Sequence, residues 1–248
     1  MGRFASTVPY YTRYREPYPP AFFETIAHRL HFTDRQRLAD IGCGPAPLAL
    51  GFARYVGSCT AVDPEPEMLA EARQQATDLG IQLSLVRARI EQLGTLQPFD
   101  IVTIGRALHW MEPRATMAVL TNLVADSGAI LICGASAPAG PGNPWLEPYN
   151  EVRSRWVDHR DEERYSADAE QRFAGSRFRF VETVAVTITH SVSVDELVRR
   201  SLSRSTTSPQ VLGPRVVEFE QALAAALRPF AIDGILSEEI RASARIFR

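Results

Sequence analysis

The residues best placed to do chemistry in this chain are two aspartates and a pair of glycines. The run Asp40-Ile41-Gly42-Cys43-Gly44-Pro45-Ala46 follows Arg37-Leu38-Ala39, which leads into a short strand. It precedes Pro47 to Tyr55, which reads as a helix. A second apolar run, Thr60-Ala61-Val62, ends at Asp63. Glycines let backbone approach a ligand where a Cβ would collide, and an acid closing the second strand accepts from ribose hydroxyls. Strand, glycine turn, helix, strand, acid is the order a nucleotide-type cofactor needs.

The residue types narrow the cofactor. A dinucleotide fingerprint would carry its third glycine where this chain has Pro47, and it lacks an acid at the place of Asp40. A pyrophosphate prefers a bare helix N-terminus with no carboxylate nearby, whereas an acid at a strand end attracts positive charge. S-adenosylmethionine carries a sulfonium and an ammonium, and acid-x-Gly-x-Gly points to it. Asp40, Gly42 and Gly44 then cradle its methionine portion; the competing reading is an ordinary tight turn. Asp63 takes the ribose, or caps a helix beginning at Pro64, or does both. Met68 lies against the adenine or packs in the core.

A second group follows the fourth apolar strand. The backbone carbonyl of Gly105 suits an ammonium, and Arg106 faces either an anionic substrate or an ion-pair partner. His109 is a general base, if the acceptor must lose a proton, or a positioning group. Trp110 walls the site with cation–π contact to the sulfonium, or packs in the core.

These stretches resemble the class I S-adenosylmethionine-dependent methyltransferases, of the small-molecule type related to trans-aconitate methyltransferase. The resemblance is carried by Tyr14-Arg15-Glu16-Pro17-Tyr18-Pro19, Asp40 to Ala46, Ala61 to Leu69, Phe99-Asp100-Ile101-Val102 and Ala107-Leu108-His109-Trp110. It implies cofactor contacts at Pro64 and from backbone near Ile90, and an N-terminal segment in which Tyr14 or Arg15 meets the cofactor carboxylate. Two positions depart from the family: Ala46 stands where it usually has glycine, and Arg89 where aspartate is commoner. The implied reaction is methyl transfer to a small molecule, most often on oxygen, leaving S-adenosylhomocysteine. Acceptors would be a secondary metabolite or a small organic acid. The rivals are an NAD-dependent oxidoreductase and a non-methylating relative that keeps the cofactor fold.

The elements around these residues must form a doubly wound, mostly parallel seven-stranded sheet, the Rossmann-like class I methyltransferase fold, with a helical insertion. Helices are expected over 20–31, 47–55, 64–79, 113–124, 194–203 and 209–227, and strands over 81–86, 99–104, 129–133, 178–189 and 240–247. Residues 1–19 read as irregular, Asp126-Ser127-Gly128 as a turn, and 145–172 as helical and highly charged. The 248 residues are expected to form a single domain: 1–34 an N-terminal lid and helix, 35–134 the cofactor core, 135–228 the substrate side with one strand, 229–248 the final strand.

Composition sets further bounds. The net charge of −2 offers no electrostatic footprint for nucleic acid. No apolar run reaches membrane-spanning length, and no signal peptide is evident, so cytoplasm is the expected location. Met1-Gly2 with Ser6 fits a myristoylation pattern only as a short, loose match of the kind chance supplies. The partner is a small-molecule methyl acceptor, and the chain a monomer or homodimer. Every one of the 27 Lys+Arg residues is arginine, which excludes Schiff-base lysine chemistry and the P-loop. Cys43, Cys59 and Cys133 are widely spaced and read as buried hydrophobes rather than ligands. His28 and His31 lie three apart on a predicted helix without partners for a metal, and no metal site is expected.

Overall fold

The computed structural model describes residues 8–94, 96–157, 165 and 168–248. Met1, Gly2 and Ser6, and much of the charged stretch before Arg172, lie outside them. The strands are β1 (Arg37–Ile41), β2 (Ser58–Asp63), β3 (Leu83–Arg87), β4 (Phe99–Gly105), β5 (Val124–Ser136), β6 (Phe180–Ser193) and β7 (Ile235–Phe247). They form a seven-stranded sheet in the order β3-β2-β1-β4-β5-β7-β6. The pairs β1–β2, β1–β4, β2–β3 and β4–β5 are all parallel. The order reverses between β1 and β4. In open sheets of this kind that reversal opens a crevice beyond the carboxyl ends of the strands.

The helices are α1 (Val8–Tyr14), α2 (Pro20–Arg29), α3 (Pro47–Phe52), α4 (Pro66–Asp78), α5 (Pro113–Leu123), α6 (Leu146–Ser154), α7 (Ala169–Phe173), α8 (Val194–Leu202), α9 (Pro209–Leu212) and α10 (Val216–Leu227). The chain divides into two compact units. One comprises residues 18–134, 163–186 and 242–248. Its core gathers Ile41, Val62, Phe99, Val102, Ile104, Leu108 and Leu120, and strands this apolar are buried on both faces. The other comprises residues 1–17, 135–162 and 187–241. There Trp145, Tyr149, Leu197, Leu202, Phe219 and Leu223 pack together, and Ser193 and Glu196 form a capping box at the start of α8.

Several expectations are corrected. Residues 8–14 are helical rather than irregular: α1 packs on α8, and Arg200 Nε donates to the Tyr14 carbonyl at 2.7 Å. The helix expected from Pro64 begins at Pro66, because each residue before a proline is held extended, Glu65 at φ −86, ψ 114. Asp126-Ser127-Gly128 lies within β5, where the pairing with β4 shifts register between Phe99 and Ile101. The helix expected over 209–227 breaks at Gly213, whose φ of +56 no helix accommodates. Within 145–172, the described helices are α6 and α7. α2 ends at Arg29, and His31 (φ +53) lies past it, so His28 and His31 share no helix face.

The three cysteines are buried and free. Burial pushes the Cys59 thiol up to about 12, and those of Cys43 and Cys133 well above their ordinary value.

Candidate functional site

The turn after β1 is built from alternating left-handed residues: Gly42 at φ +64, Gly44 at +57 and Ala46 at +60. Gly42 and Cys43 both donate their N–H to the Val62 carbonyl, at 2.8 and 3.1 Å, which ties the turn to β2. A Cβ on Gly42 would sit 2.6 Å from the Ala107 Cβ, so the turn also packs directly on the segment after β4. Ala46, at the position where glycine was expected by resemblance, holds the same left-handed conformation with a side chain. That conformation costs about 1–2 kcal/mol for a residue other than glycine.

Asp63 closes this turn. Its Oδ2 accepts from Gly44 N at 2.8 Å and its Oδ1 from Glu65 N at 2.9 Å. One carboxylate therefore braces both the glycine turn and the chain leaving β2. Burial raises its pKa, and the two N–H groups oppose the rise. Each oxygen still has a lone pair to offer. Asp63 does not cap α4, whose N-cap is Glu65.

Asp40 looks inward. Thr103 Oγ1 donates to its Oδ1 at 2.8 Å and Ala49 N to its Oδ2 at 3.2 Å, so β1, β4 and α3 meet at one carboxylate. It is 1% exposed, and burial pushes its pKa up to about 7, against the pull of those two donors.

Past β4 the backbone turns sharply. A Cβ on Gly105 would lie 2.7 Å from Leu48 Cδ1 and 3.3 Å from the Tyr18 hydroxyl. Arg106 takes φ +57, donates its N–H to the Cys133 carbonyl at 3.2 Å, and lays its guanidinium 5.0 Å from the centre of the Tyr18 ring. His109 and Trp110 follow in a short 3-10 turn, half-buried, with ring centres 4.7 Å apart. Arg172 pins this turn from α7, donating to the carbonyls of Met111 at 2.7 Å and Leu108 at 3.3 Å. Glu112 caps α5 and itself donates its N–H to Glu91 at 2.8 Å.

The structure thus joins Gly44 to Asp63 by a hydrogen bond, ties Gly42 to β2 through Val62, and holds Asp40 at the end of β1 by Thr103 and Ala49, with the 105–111 segment packed on Gly42. Met68 and Ile90 are buried, at 4% and 3% exposure, and Ile90 packs in the core cluster that holds Ile41 and Val62. Pro64 is exposed and accepts from Arg87 Nε at 3.4 Å through its carbonyl. Arg89 is paired with Glu91 at 3.5 Å. Tyr14 and Arg15 belong to the other unit. There the Tyr14 carbonyl is taken by Arg200, and the Arg15 guanidinium lies 5.0 Å over the Tyr11 ring, 3.9 Å from Glu16. Sequence reasoning missed Thr103, Arg172 and Tyr18. Thr103 left a signal, as the polar residue amid the apolar run of β4. Among the described residues no group of three His, Cys, Asp or Glu side chains is arranged to hold a metal ion, and no helix is long and apolar enough to cross a membrane.

Residues 38–126 match the methyltransferase domain family. The ubiquinone biosynthesis O-methyltransferase of Xanthomonas euvesicatoria pv. vesicatoria is 30% identical over 116 residues, 46% of this chain and 48% of that protein. Its counterpart from Klebsiella pneumoniae subsp. pneumoniae is 30% identical over 124 residues, 49% of this chain and 50% of that one. The chain therefore aligns with about half the length of these curated relatives. Among solved structures, a protein provisionally assigned as a type II methyltransferase from Anaeromyxobacter dehalogenans superposes with a TM-score of 0.65 at 18% identity, over 94% of this chain and 96% of that one. Coclaurine N-methyltransferase, solved with N-methylheliamine and S-adenosylhomocysteine, gives 0.55 at 14% identity over 92% of this chain and 70% of that one. At these identities the structural likeness is one of fold.

Proposed function

We propose that this chain is a class I S-adenosylmethionine-dependent methyltransferase that moves the methyl group of S-adenosylmethionine to a small-molecule acceptor, most readily on oxygen. The observation that carries the reading is the Asp63 carboxylate locked onto the Gly44 turn. It is a buried acid at the end of β2, already oriented by two N–H groups, with an accepting lone pair left on each oxygen for a pair of ribose hydroxyls.

The residues present fit the cofactor. Gly42 and Gly44 leave backbone bare where the methionine portion would run, and Asp40 lies next to them as an acid that a bound cation would hold ionised. The Gly105 carbonyl would meet the ammonium, and Met68 and the backbone near Ile90 would flank the adenine. When bound, the cofactor supplies an electrophilic methyl on a sulfonium.

The protein's part is orientation, exclusion of water and, for a hydroxyl acceptor, removal of a proton. His109 is assigned to that proton, held by the turn that Arg172 pins. Trp110 is assigned to the wall beside it. Acceptor binding is assigned chiefly to residues 145–227. Tyr14 and Arg15 enter by resemblance alone, as part of a stretch whose amide exchange should slow when cofactor binds. The named relatives act in ubiquinone biosynthesis, and an aromatic hydroxyl is one acceptor class worth testing on that ground.

The test is calorimetry with S-adenosylhomocysteine. The native chain should bind it and not NAD, and Asp63→Ala should weaken binding by about tenfold or more through loss of charge-assisted hydrogen bonds. Unchanged affinity in that variant would remove Asp63 from the ribose. A screen of acceptors with labelled S-adenosylmethionine then names the substrate.

A further inference from the structure

We infer that Tyr165 and Arg172 are positioning residues: together they latch the short turn that carries His109 and Trp110, and through it they set where the His109 ring stands. Every group of this latch belongs to the unit of residues 18–134, 163–186 and 242–248.

The turn has firm ends and a weaker middle. Before it, the Arg106 N–H donates to the Cys133 carbonyl at 3.2 Å, and Gly42 packs on Ala107. After it, the Glu112 N–H donates to Glu91 at 2.8 Å, and the Glu112 carboxylate caps α5. Between these ends, Leu108–Trp110 form a single 3-10 turn with two backbone bonds of its own. The Trp110 N–H donates to the Ala107 carbonyl at 2.9 Å and the Met111 N–H to the Leu108 carbonyl at 3.2 Å. So short a 3-10 turn has little strength by itself.

Further hold comes from a stretch far along the chain. The Tyr165 N–H donates to the His109 carbonyl at 2.9 Å. Arg172 donates from Nη1 to the Leu108 carbonyl at 3.3 Å and from Nη2 to the Met111 carbonyl at 2.7 Å. The carbonyls of Leu108, His109 and Met111 are thus all met by these two residues. The Arg172 guanidinium also lies 5.8 Å from the centre of the Tyr165 ring, so the two arms brace each other. Arg172 springs from α7, whose Ala169 and Phe173 are buried in one core cluster with Phe178 and Phe247. Glu170 of the same helix pairs with Arg245. The latch therefore carries the position of a packed core to the backbone of His109.

The residue types suit the task. A guanidinium presents several donors on one rigid plane and reaches two carbonyls at once, where a lysine offers a single point charge on a flexible stem. Hydrogen bonds from a charged donor are also stronger than neutral ones. Position matters at a reacting group, because a misplacement of about 1 Å can cost on the order of a hundredfold in rate. That consequence for catalysis rests on the function proposed above; the latch itself does not.

The first experiment uses the full chain without an acceptor. Amide exchange followed by NMR reports the latch at Tyr165, Trp110 and Met111, and the His109 ring protons report the surroundings of that ring. Arg172→Met should speed exchange at the three amides by about tenfold or more, the effect of one lost charge-assisted hydrogen bond. It should also move the His109 ring signals, while the amides of β4 keep their native rates. Arg172→Lys should restore only part of the native behaviour. Tyr165→Pro and Tyr165→Ala both remove the ring, but only proline removes the N–H, so the proline variant should move the His109 signals further. Native exchange rates at the three amides in Arg172→Met, or an equal acceleration across β4, overturn the inference. If Arg172→Met does not fold, the proline and alanine variants decide it.

Turnover then ties the latch to His109, with labelled S-adenosylmethionine and a set of hydroxyl acceptors that includes catechol. Arg172→Lys should lower kcat by about tenfold with S-adenosylhomocysteine affinity unchanged, and should lose nothing further in a His109→Gln background. Equal losses in the two backgrounds overturn the action through His109. Native turnover in His109→Gln alone removes the base reading, and a native chain that binds no S-adenosylhomocysteine removes the methyltransferase reading. In both of those cases the exchange comparison still decides the latch.

Discussion

In the unit containing the glycine turn, the buried acids Asp40 and Asp63 each receive a hydrogen-bond donor on both oxygens. In the other unit, the half-buried side chains of Arg153 and Arg204 each keep a buried Nε–H with no acceptor. Both places take charge out of water, which is costly unless the charge is met. At the turn it is met by backbone and by Thr103, so the burial is spent on holding a shape. At the arginines it is only partly met. A buried charge met on both oxygens therefore reads as scaffold, and a donor left unmet as a cost the fold carries.

The largest effect expected of this contrast is a pH dependence set by Asp40. Its folded pKa of about 7 lies above its ordinary value of 3.8. The folded state therefore holds a proton that the unfolded state has released. Its stabilising contribution is complete below about pH 4 and is lost as pH rises towards 7, on the order of 4 kcal/mol over that window. Urea unfolding across that range should show the native chain losing stability relative to Asp40→Asn. Parallel curves would mean that the acid is better met than its burial implies.

Gly42→Ala comes next. It forces a side chain into both a left-handed backbone and the 2.6 Å approach to Ala107. We expect a loss of roughly 2–4 kcal/mol, and a loss below 1 kcal/mol would show slack in the scaffold.

At the reacting end, His109→Gln should lower turnover about a hundredfold for a hydroxyl acceptor, because glutamine hydrogen-bonds but takes no proton. Near-native turnover with an unchanged pH profile would leave His109 a positioning group.

The smallest effect is a gain. Arg153→Met should raise stability by about 1 kcal/mol, by removing an unmet donor and a repelled charge while keeping apolar bulk. A fall in melting temperature on that change would show that the Arg153 charge helps to hold the fold.

The first half of the chain was legible because its strands are short, apolar and bounded by glycine or acid. β1, β2 and β4, with the turn and Asp63, follow directly from that pattern. Elsewhere the information is not local. α1 is too short to hold by itself and depends on α8 and on Arg200, far along the chain. Gly213 sits inside an apolar periodicity that suggests an unbroken helix, and only its backbone angle reveals the break. Asp126-Ser127-Gly128 has the composition of a turn, but its pairing register makes it part of a bulged strand. Asp40 read as a ligand-facing acid, and its inward hydrogen bonds to Thr103 and Ala49 emerge only from the fold. Arg204 and Glu16 lie far apart in sequence, so nothing in the spacing announces their pairing.

The buried cysteines carry a practical consequence. Cys43, Cys59 and Cys133 are shielded and held as protonated thiols well above neutral pH. Alkylating reagents require an accessible thiolate, so the native chain is silent towards them. A single cysteine introduced on an exposed position, such as Val217 on α10, would then be the sulfur a maleimide finds, and a fluorophore or spin label could be placed there without first deleting any native residue.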